Sequence, residues 1–149
     1  MSSSARLSLS TVVLDAHDAH ELAAFYRRLL GYVVRAEEPD WVLTGPPPGT
    51  AGTSLAFQTE PAYVPPVWPT LPHSRLRSSG GTPMPGDQQM MLHLDIEVDG
   101  GPDALAAETA RAVAEGARLA EYQPQDDVRV LFDPSGHPFC LWTETPGPT

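Results

Sequence analysis

The chain has 149 residues, of which 41% are hydrophobic, so a single compact domain with a true apolar core is the expected organisation. Its formal net charge of −10 argues against nucleic acid and anionic lipid as partners, because both would repel the protein. The sequence has no apolar run long enough to cross a membrane, no recognisable signal peptide and only one cysteine, so we expect a cytoplasmic protein without an internal disulfide.

The first third of the chain predicts a strand, a helix and three further strands. Residues 7–14 are rich in β-branched side chains, which is typical of a strand. Asp18 precedes a run with apolar residues at helical spacing, and Gly31 follows the end of that run in the manner of a helix-terminating glycine. Short strands are expected at 32–35, 41–44 and 54–58.

Residues 60–89 are dense in proline and glycine and predict a linker without regular structure. Prolines on both sides of Val67 and Trp68 make that part stiff, because each proline fixes its own φ. Tyr63 and Trp68 have two interpretations here: they clamp an aromatic ligand, or they pack over the loop. The sequence favours neither.

The last third begins with the strictest alternation in the chain, at residues 91–98, which predicts a strand covered on one face. The apolar face is expected to carry Leu92, Leu94, Ile96 and Val98, and the polar face His93, Asp95 and Glu97. Pro102 is well placed at the start of a second helix that ends at Gly116, with Leu105 and Val113 in its thin apolar stripe. Strands are expected at 117–122, 128–132 and 137–142, and turn chemistry alone explains the position of His137.

The order β-α-β-β-β therefore occurs twice, in module one (6–59) and module two (90–144), joined by the linker 60–89. Two such sheets would curve around a shared cup, with both helices outside. We expect Leu94, Ile96, Phe139 and Leu141 to be buried against the helices. The predicted lining of the cup includes Thr11, Val13, Ala56, Gln58, His93, Asp95 and Trp142.

Four stretches in this order resemble a known family: Phe25-Tyr-Arg-Arg-Leu-Leu-Gly31, Pro66-Val-Trp-Pro69, Gln89-Met-Met-Leu-His-Leu-Asp-Ile-Glu-Val98 and Phe132-Asp-Pro-Ser-Gly-His-Pro-Phe-Cys140. The sequence is similar to the vicinal oxygen chelate superfamily, in particular to glyoxalase-like domains, bleomycin-resistance proteins and extradiol dioxygenases. The resemblance implies an α+β fold in which two βαβββ modules form one cupped domain. It specifies the fold far better than the chemistry.

The resemblance also gives expected positions for a metal. Metal-dependent members hold a divalent ion with one ligand from the first and last strand of each module. The corresponding positions here are Thr11, Ala56 (or Gln58 after a shift of two residues), His93 and Cys140. Thr11 and Ala56 are not credible ligands, and Asp95 is not expected to replace them, since alternate strand residues lie about 6–7 Å apart at Cα. We therefore expect no cofactor; a divalent metal, if one binds, would be held by His93 and Cys140.

Two functions are compatible with these observations. The first is a small-molecule binder of the drug-sequestering or sensing kind. The second is an enzyme of the lyase, isomerase or dioxygenase type, in which His93 acts with Asp95 as acid and base, or with Cys140 around a metal. Cys140 also has a simpler interpretation as a buried, inert thiol. The residues expected to bind the ligand are Thr11, Val13, Gln58, Tyr63, Trp68, Glu97, Cys140 and Trp142. A homodimer is compatible with the sequence.

Overall fold

A computed structural model describes residues 7–67, 92–123 and 125–144 of the chain. The chain divides into two compact units, Met1–Pro61 and Ala62–Thr149. The first contains β1 (Thr11–Ala16), α1 (Ala19–Leu30), β2 (Val33–Glu38), β3 (Trp41–Gly45) and β4 (Ser54–Thr59). The second contains β5 (Leu94–Glu97), α2 (Gly101–Ala114), β6 (Arg118–Leu119), β7 (Val128–Phe132) and β8 (Pro138–Trp142). This order confirms the α+β class and the two βαβββ modules. Neither of the two described helices has the length and apolar character needed to span a membrane.

Helix α1 begins and ends where its capping residues predict. The Asp18 carboxylate accepts hydrogen bonds from two backbone N–H groups of the first turn, at 2.9 and 3.1 Å, which pairs donors that a helix start leaves unsatisfied. Gly31 ends the helix with a φ of 70°, a conformation that glycine adopts without strain. On the buried side, the ring of Tyr26 stacks on Phe57 with 5.5 Å between centroids. This contact fixes α1 against the first sheet.

The first sheet has the strand order β1-β4-β3-β2, in which β1 and β4 are parallel and the other pairs antiparallel. Leu14 pairs with Phe57, and both are buried on the face that α1 covers. Strand β1 begins four residues later than expected because β4 begins at Ser54, the partner of Thr11. Earlier residues therefore have no neighbour in this strand pair, and Leu7 is 93% exposed.

A bulge interrupts the pairing of β2 and β3 between Val34 and Ala36. Arg35, the residue at this bulge, donates from its guanidinium to the carbonyl of Pro46 at 2.9 Å. The guanidinium passes so close to Gly45 that a Cβ there would lie 2.7 Å from the Arg35 Cζ. Glycine at this position therefore leaves room for the arginine to reach its acceptor.

The second sheet has the order β5-β8-β7-β6. As in the first sheet, the first and last strands along the chain, here β5 and β8, are parallel neighbours. Phe139 and Leu141 are 0% and 2% exposed, which confirms their predicted burial. Leu94 and Ile96 share their face but are only half-buried, because β5 lies at the edge of its sheet and has a neighbour on only one side among the described strands. Leu92 is 58% exposed and does not belong to the buried face that the alternation predicts.

Two strand boundaries and the exposure of one helix residue differ from the expectation, each for a local reason. β5 begins only at Leu94, which pairs with Phe139. The same register would pair His93 with Pro138, and a proline has no N–H to donate. In α2, Leu105 and Ala112 are buried but Val113 is 44% exposed, because a residue eight positions along a helix is rotated away from the first by about 80°. β6 is short because the side chain of Gln123 bonds to β7 where a longer strand would pair with it. Its amide oxygen accepts from the Val130 N–H at 2.8 Å, and its amide nitrogen donates to the Val130 carbonyl at 3.0 Å.

Candidate functional site

A cavity of about 450 Å³ lies on the second sheet, within the second unit. Pockets that enclose small organic molecules measure about 300–1,000 Å³. The register explains which face carries the cavity: Asp95 pairs with Cys140, and Cys140 pairs with Val130, so their side chains leave the sheet opposite to Leu94 and Phe139. The described lining comprises His93, Asp95, Gln125, Asp127, Val128, Val130, Cys140, Trp142 and Thr143.

The floor of this cavity is apolar. Val130 and Cys140 are buried in one cluster with Ala120 and Phe132, and Val128 packs against that cluster. Trp142 is the strand partner of Val128 and is half-buried beside it. The guanidinium of Arg118 lies 4.5 Å from the centre of the Phe132 ring, a cation–π contact that supports the cluster. The floor thus offers an apolar surface with one indole at its edge.

Loop 125–127 supplies the polar rim, and backbone contacts hold it in place. A guanidinium nitrogen of Arg129 donates to the carbonyls of Gln125 at 3.2 Å and Asp126 at 3.0 Å. The N–H of Thr143 donates to the Asp127 carbonyl at 3.1 Å, which ties the loop to the residue after β8. Gln125 and Asp127 therefore keep a fixed place at the mouth of the cavity.

His93, Asp95 and Cys140 form the titratable part of the lining. The Nε2 atom of His93 lies 3.2 Å from Asp95 Oδ1, and one donor atom from each of the three residues lies within 4.8 Å of the others. The side chains of His93 and Asp95 are 35% and 63% exposed, whereas Cys140 is buried. Asp95 was expected to stand too far along the strand to join His93 and Cys140, and this prediction is wrong, because the three side chains converge.

Cys140 is a thiol rather than a thiolate at neutral pH. Burial, followed by the negative charge of Asp95 and a hydrogen bond to its carboxylate, raises the pKa of the Cys140 thiol from 9.0 to about 11. Because the thiolate is the reactive form, this favours the inert interpretation of Cys140 over the nucleophilic one. The exposed His93–Asp95 pair is the part of the group that is suited to proton transfer.

Of the residues expected from the sequence, four lie together in the lining: His93, Asp95, Cys140 and Trp142. Glu97 is exposed on the same strand, one alternation beyond Asp95 and opposite Trp142. The sequence interpretation missed Val128 and Val130, although the alternation of β7 carries the signal once its pairing with β8 is known. It also missed Gln125, Asp127 and Thr143, which follow from loop geometry and not from a sequence pattern.

Tyr63 occupies a structural position in the second unit. It is 8% exposed, its hydroxyl donates to the carbonyl of Ser135 at 2.8 Å, and the same oxygen lies 3.3 Å from His137 Nε2. The other ring nitrogen of His137 lies 2.8 Å from a carboxylate oxygen of Asp133. Of the two interpretations of Tyr63, packing in the turn between β7 and β8 is thus favoured. Trp68 lies outside the described residues.

The predicted binding residues of module one lie on the first sheet. Thr11 pairs with Ser54 and is half-buried, and Val13 is 51% exposed. Gln58 is exposed and lines a separate cavity of about 380 Å³ in the first unit. The other described residues lining that cavity are Glu38, Asp40 and Trp41.

Comparison with known structures identifies the fold. A glyoxalase/bleomycin resistance protein/dioxygenase family enzyme from Burkholderia phytofirmans PsJN has 19% identity and a TM-score of 0.61, covering 92% of this chain and 98% of that one. A lactoylglutathione lyase from Agrobacterium tumefaciens has 14% identity and a TM-score of 0.54, with 91% and 92% covered. TnmS3, an antibiotic binding protein from Streptomyces sp. CB03234, has 17% identity and a TM-score of 0.55, with 96% and 100% covered.

At these identities the similarity shows the shared fold alone. A comparison with curated protein sequences finds no match. The model of the glyoxalase-like domain family matches residues 11–142, from the first residue of β1 to the last residue of β8. The chain therefore belongs to the glyoxalase-like domain family, within the vicinal oxygen chelate superfamily.

Proposed function

We propose that this protein binds a small organic molecule in the cavity of its second unit. The observation that carries the proposal is the composition of the cavity: an apolar floor of Val128 and Val130, an indole at the edge, and a sparse polar rim. Small-molecule sites generally combine such a wall with a few hydrogen-bonding groups that fix orientation. TnmS3, an antibiotic binding protein, has the same fold, which agrees with this use.

The module-one residues support binding without the metal site that the family resemblance implies. Ala56 has no donor atom, and its side chain is completely buried. Thr11 offers only a neutral hydroxyl, which is a weak ligand for the divalent ions that catalytic sites hold. The four-position ligand set of the family is therefore not available in this chain. The ligand-binding roles of Thr11, Val13, Gln58, Tyr63, Trp68 and Glu97 stay predictions.

A screen of aromatic natural products by tryptophan fluorescence tests the proposal. Val128→Phe fills part of the cavity and should weaken binding at least tenfold, since one aromatic ring displaces the ligand from its apolar floor. Val64→Phe is the matched control, because Val64 is 57% exposed in the same unit and does not belong to the described lining. Trp142→Phe should remove most of the fluorescence response. Hits that bind both valine variants equally would contradict the proposed site.

The 3.2 Å contact between His93 and Asp95 supports a second function, acid–base catalysis of the lyase or isomerase type. Asp95 would orient the imidazole and stabilise its protonated form while His93 removes a proton from a carbon next to a carbonyl group. Deuterium exchange into carbonyl compounds, followed by NMR in D₂O, tests this step directly. His93→Ala should abolish any exchange that the protein accelerates, and His17→Ala, which changes an exposed histidine of the first unit, should not.

A further inference from the structure

We infer that the cavity of the second unit selects organic cations, that is, amines or quaternary ammonium compounds with an apolar body. The inference rests on the proposed function and deepens it, because it names the chemical class of the ligand. The carboxylates of Asp95 and Asp127 belong to the described lining, and no arginine or lysine does. An anionic ligand would meet like charges there, and a neutral ligand would gain no charge attraction.

The lining stays negative in either protonation state of His93. Its Nε2 atom lies 3.2 Å from Asp95 Oδ1, so a proton on the ring would compensate one carboxylate and not both. Cys140 contributes a neutral thiol at pH 7, because burial and the charge of Asp95 raise its pKa to about 11. One guanidinium nitrogen of Arg129 donates to three backbone carbonyls within residues 125–128, and Arg129 is not among the described lining residues. The positive charge that balances the cavity is therefore expected from the ligand.

The carboxylate of Asp127 and the indole of Trp142 belong to residues on either side of one floor residue. Val128 follows Asp127 in the chain and is the strand partner of Trp142. The Thr143 N–H donates to the Asp127 carbonyl at 3.1 Å, which holds Asp127 beside the end of β8. A carboxylate attracts an ammonium group by its charge, and an indole attracts it through its electron-rich face. The apolar body of the same ligand would cover Val128 and Val130.

The charge of the whole chain acts in the same direction. A formal net charge of −10 attracts cations to the protein and repels anions. The cavity of the first unit is also acidic, but its described lining of Glu38, Asp40, Trp41 and Gln58 contains no aliphatic side chain. It lacks the apolar floor that the second cavity offers, so the inference concerns the second cavity alone.

Three probes that share one skeleton test the inference. Phenylbutylamine, phenylbutanol and phenylbutyrate, each substituted at the end of the butyl chain, present a cation, a neutral hydroxyl and an anion on the same apolar body. Full-length protein is titrated with each probe at one pH, and binding is followed by tryptophan fluorescence. The amine should bind at least tenfold more tightly than the alcohol, and the carboxylate should bind most weakly. Added salt should reduce the advantage of the amine, because both carboxylates of the lining are partly exposed.

Variants assign the preference to the cavity. Asp127→Asn should remove most of the advantage of the amine while leaving the affinity for the alcohol unchanged, a result that general damage to the cavity would not produce. Asp126→Asn is the matched control, because it removes an equal charge from the neighbouring exposed residue, which is not among the described lining residues. Asp40→Asn removes a charge from the first cavity. Both controls should keep the preference for the amine.

The failure of this inference is distinguishable from the failure of the proposed function. Equal affinity for the amine and the alcohol, with both weakened by Val128→Phe, would overturn the inference and leave the proposed function in place. The absence of saturable amine binding would overturn the inference too. So would a preference that Asp40→Asn abolishes and Asp127→Asn preserves, because the cation would then bind in the first unit. The proposed function fails separately, when the hits of the screen bind Val128→Phe and Val64→Phe equally.

Discussion

The pKa of Cys140 gives a quantitative prediction, because Asp95 raises it in two ways, by its negative charge and by a hydrogen bond. The pKa of this thiol is raised from 9.0 to about 11 by burial, by the charge of Asp95 and by a hydrogen bond to that carboxylate. At pH 8 a thiol with a pKa of 9 is about one-tenth ionised, whereas one with a pKa of 11 is about one-thousandth ionised. The thiolate fraction of Cys140 at pH 8 should therefore be about a hundredfold smaller than that of an ordinary cysteine, which slows the alkylation of Cys140 by iodoacetamide at that pH.

Asp95→Asn tests the contribution of the carboxylate. The substitution removes a negative charge that opposes formation of the thiolate, so the pKa of Cys140 should fall and the alkylation rate at pH 8 should rise. Each unit of decrease in the pKa raises the thiolate fraction at pH 8 about tenfold. The midpoint should stay above 9.0, because burial is the largest cause of the raised value and is unchanged by the substitution.

The assay is the pseudo-first-order rate of iodoacetamide labelling between pH 7 and pH 12, measured by intact mass, so that the profile extends past a midpoint near 11. Cys140 is the only cysteine of the chain, so the label has one site. The midpoint of the pH profile reports the pKa, whereas steric access changes only the height of the profile. Asp99→Asn is the control and should reproduce the wild-type midpoint. A wild-type midpoint near 9, or the same midpoint in wild type and Asp95→Asn, would refute the reasoning.

Three further predictions concern stability, each measured by thermal unfolding with circular dichroism. Tyr63→Phe removes a buried hydroxyl with two partners and should cost about 1–3 kcal/mol, or about 3–9 °C in Tm, while Tyr122→Phe at a more exposed position should change little. Gly45→Ala should destabilise by about 1 kcal/mol because its Cβ displaces the Arg35 guanidinium, and the effect should shrink in an Arg35→Ala background. Asp18→Ala should cost about 0.5–2 kcal/mol through loss of the helix cap; an unchanged Tm would contradict the capping role.

The sequence predicted elements well where local chemistry decides them. Helix α1 is predicted by an apolar stripe, by Asp18 before it and by Gly31 after it. All three signals lie within the local sequence and do not depend on the rest of the fold. Strand β7 was also placed correctly at its observed residues. The limits of β1 and β6 were wrong because they depend on partners: β1 starts at the residue opposite the start of β4, and β6 stops where the side chain of Gln123 replaces a strand.

In the candidate site, too, features set by the local sequence were predicted and features set by strand partners were not. His93 and Asp95 stood out in the sequence because two ionisable residues alternate on one strand. The family resemblance placed His93 and Cys140 near each other, but the local pattern did not bring Asp95 to them, since that depends on the parallel register that places Cys140 opposite Asp95. Asp127 lies in the site because the N–H of Thr143 donates to its carbonyl and holds its loop next to the sheet. No pattern in the sequence indicates this contact.

The parallel pairing of β5 with β8 has a consequence for the order of events during biosynthesis. All four strands of the first sheet are present once the ribosome has added Thr59, so that sheet has its full set of partners early. In the second sheet the strand that carries Asp95 must wait for the last strand, because the neighbour of β5 is β8 and not β6. Such long-range pairings form slowly. A nascent chain that stops before Cys140 therefore lacks the strand partner of Asp95 and the cavity that both residues line, so the unit that carries the site is completed after the first unit.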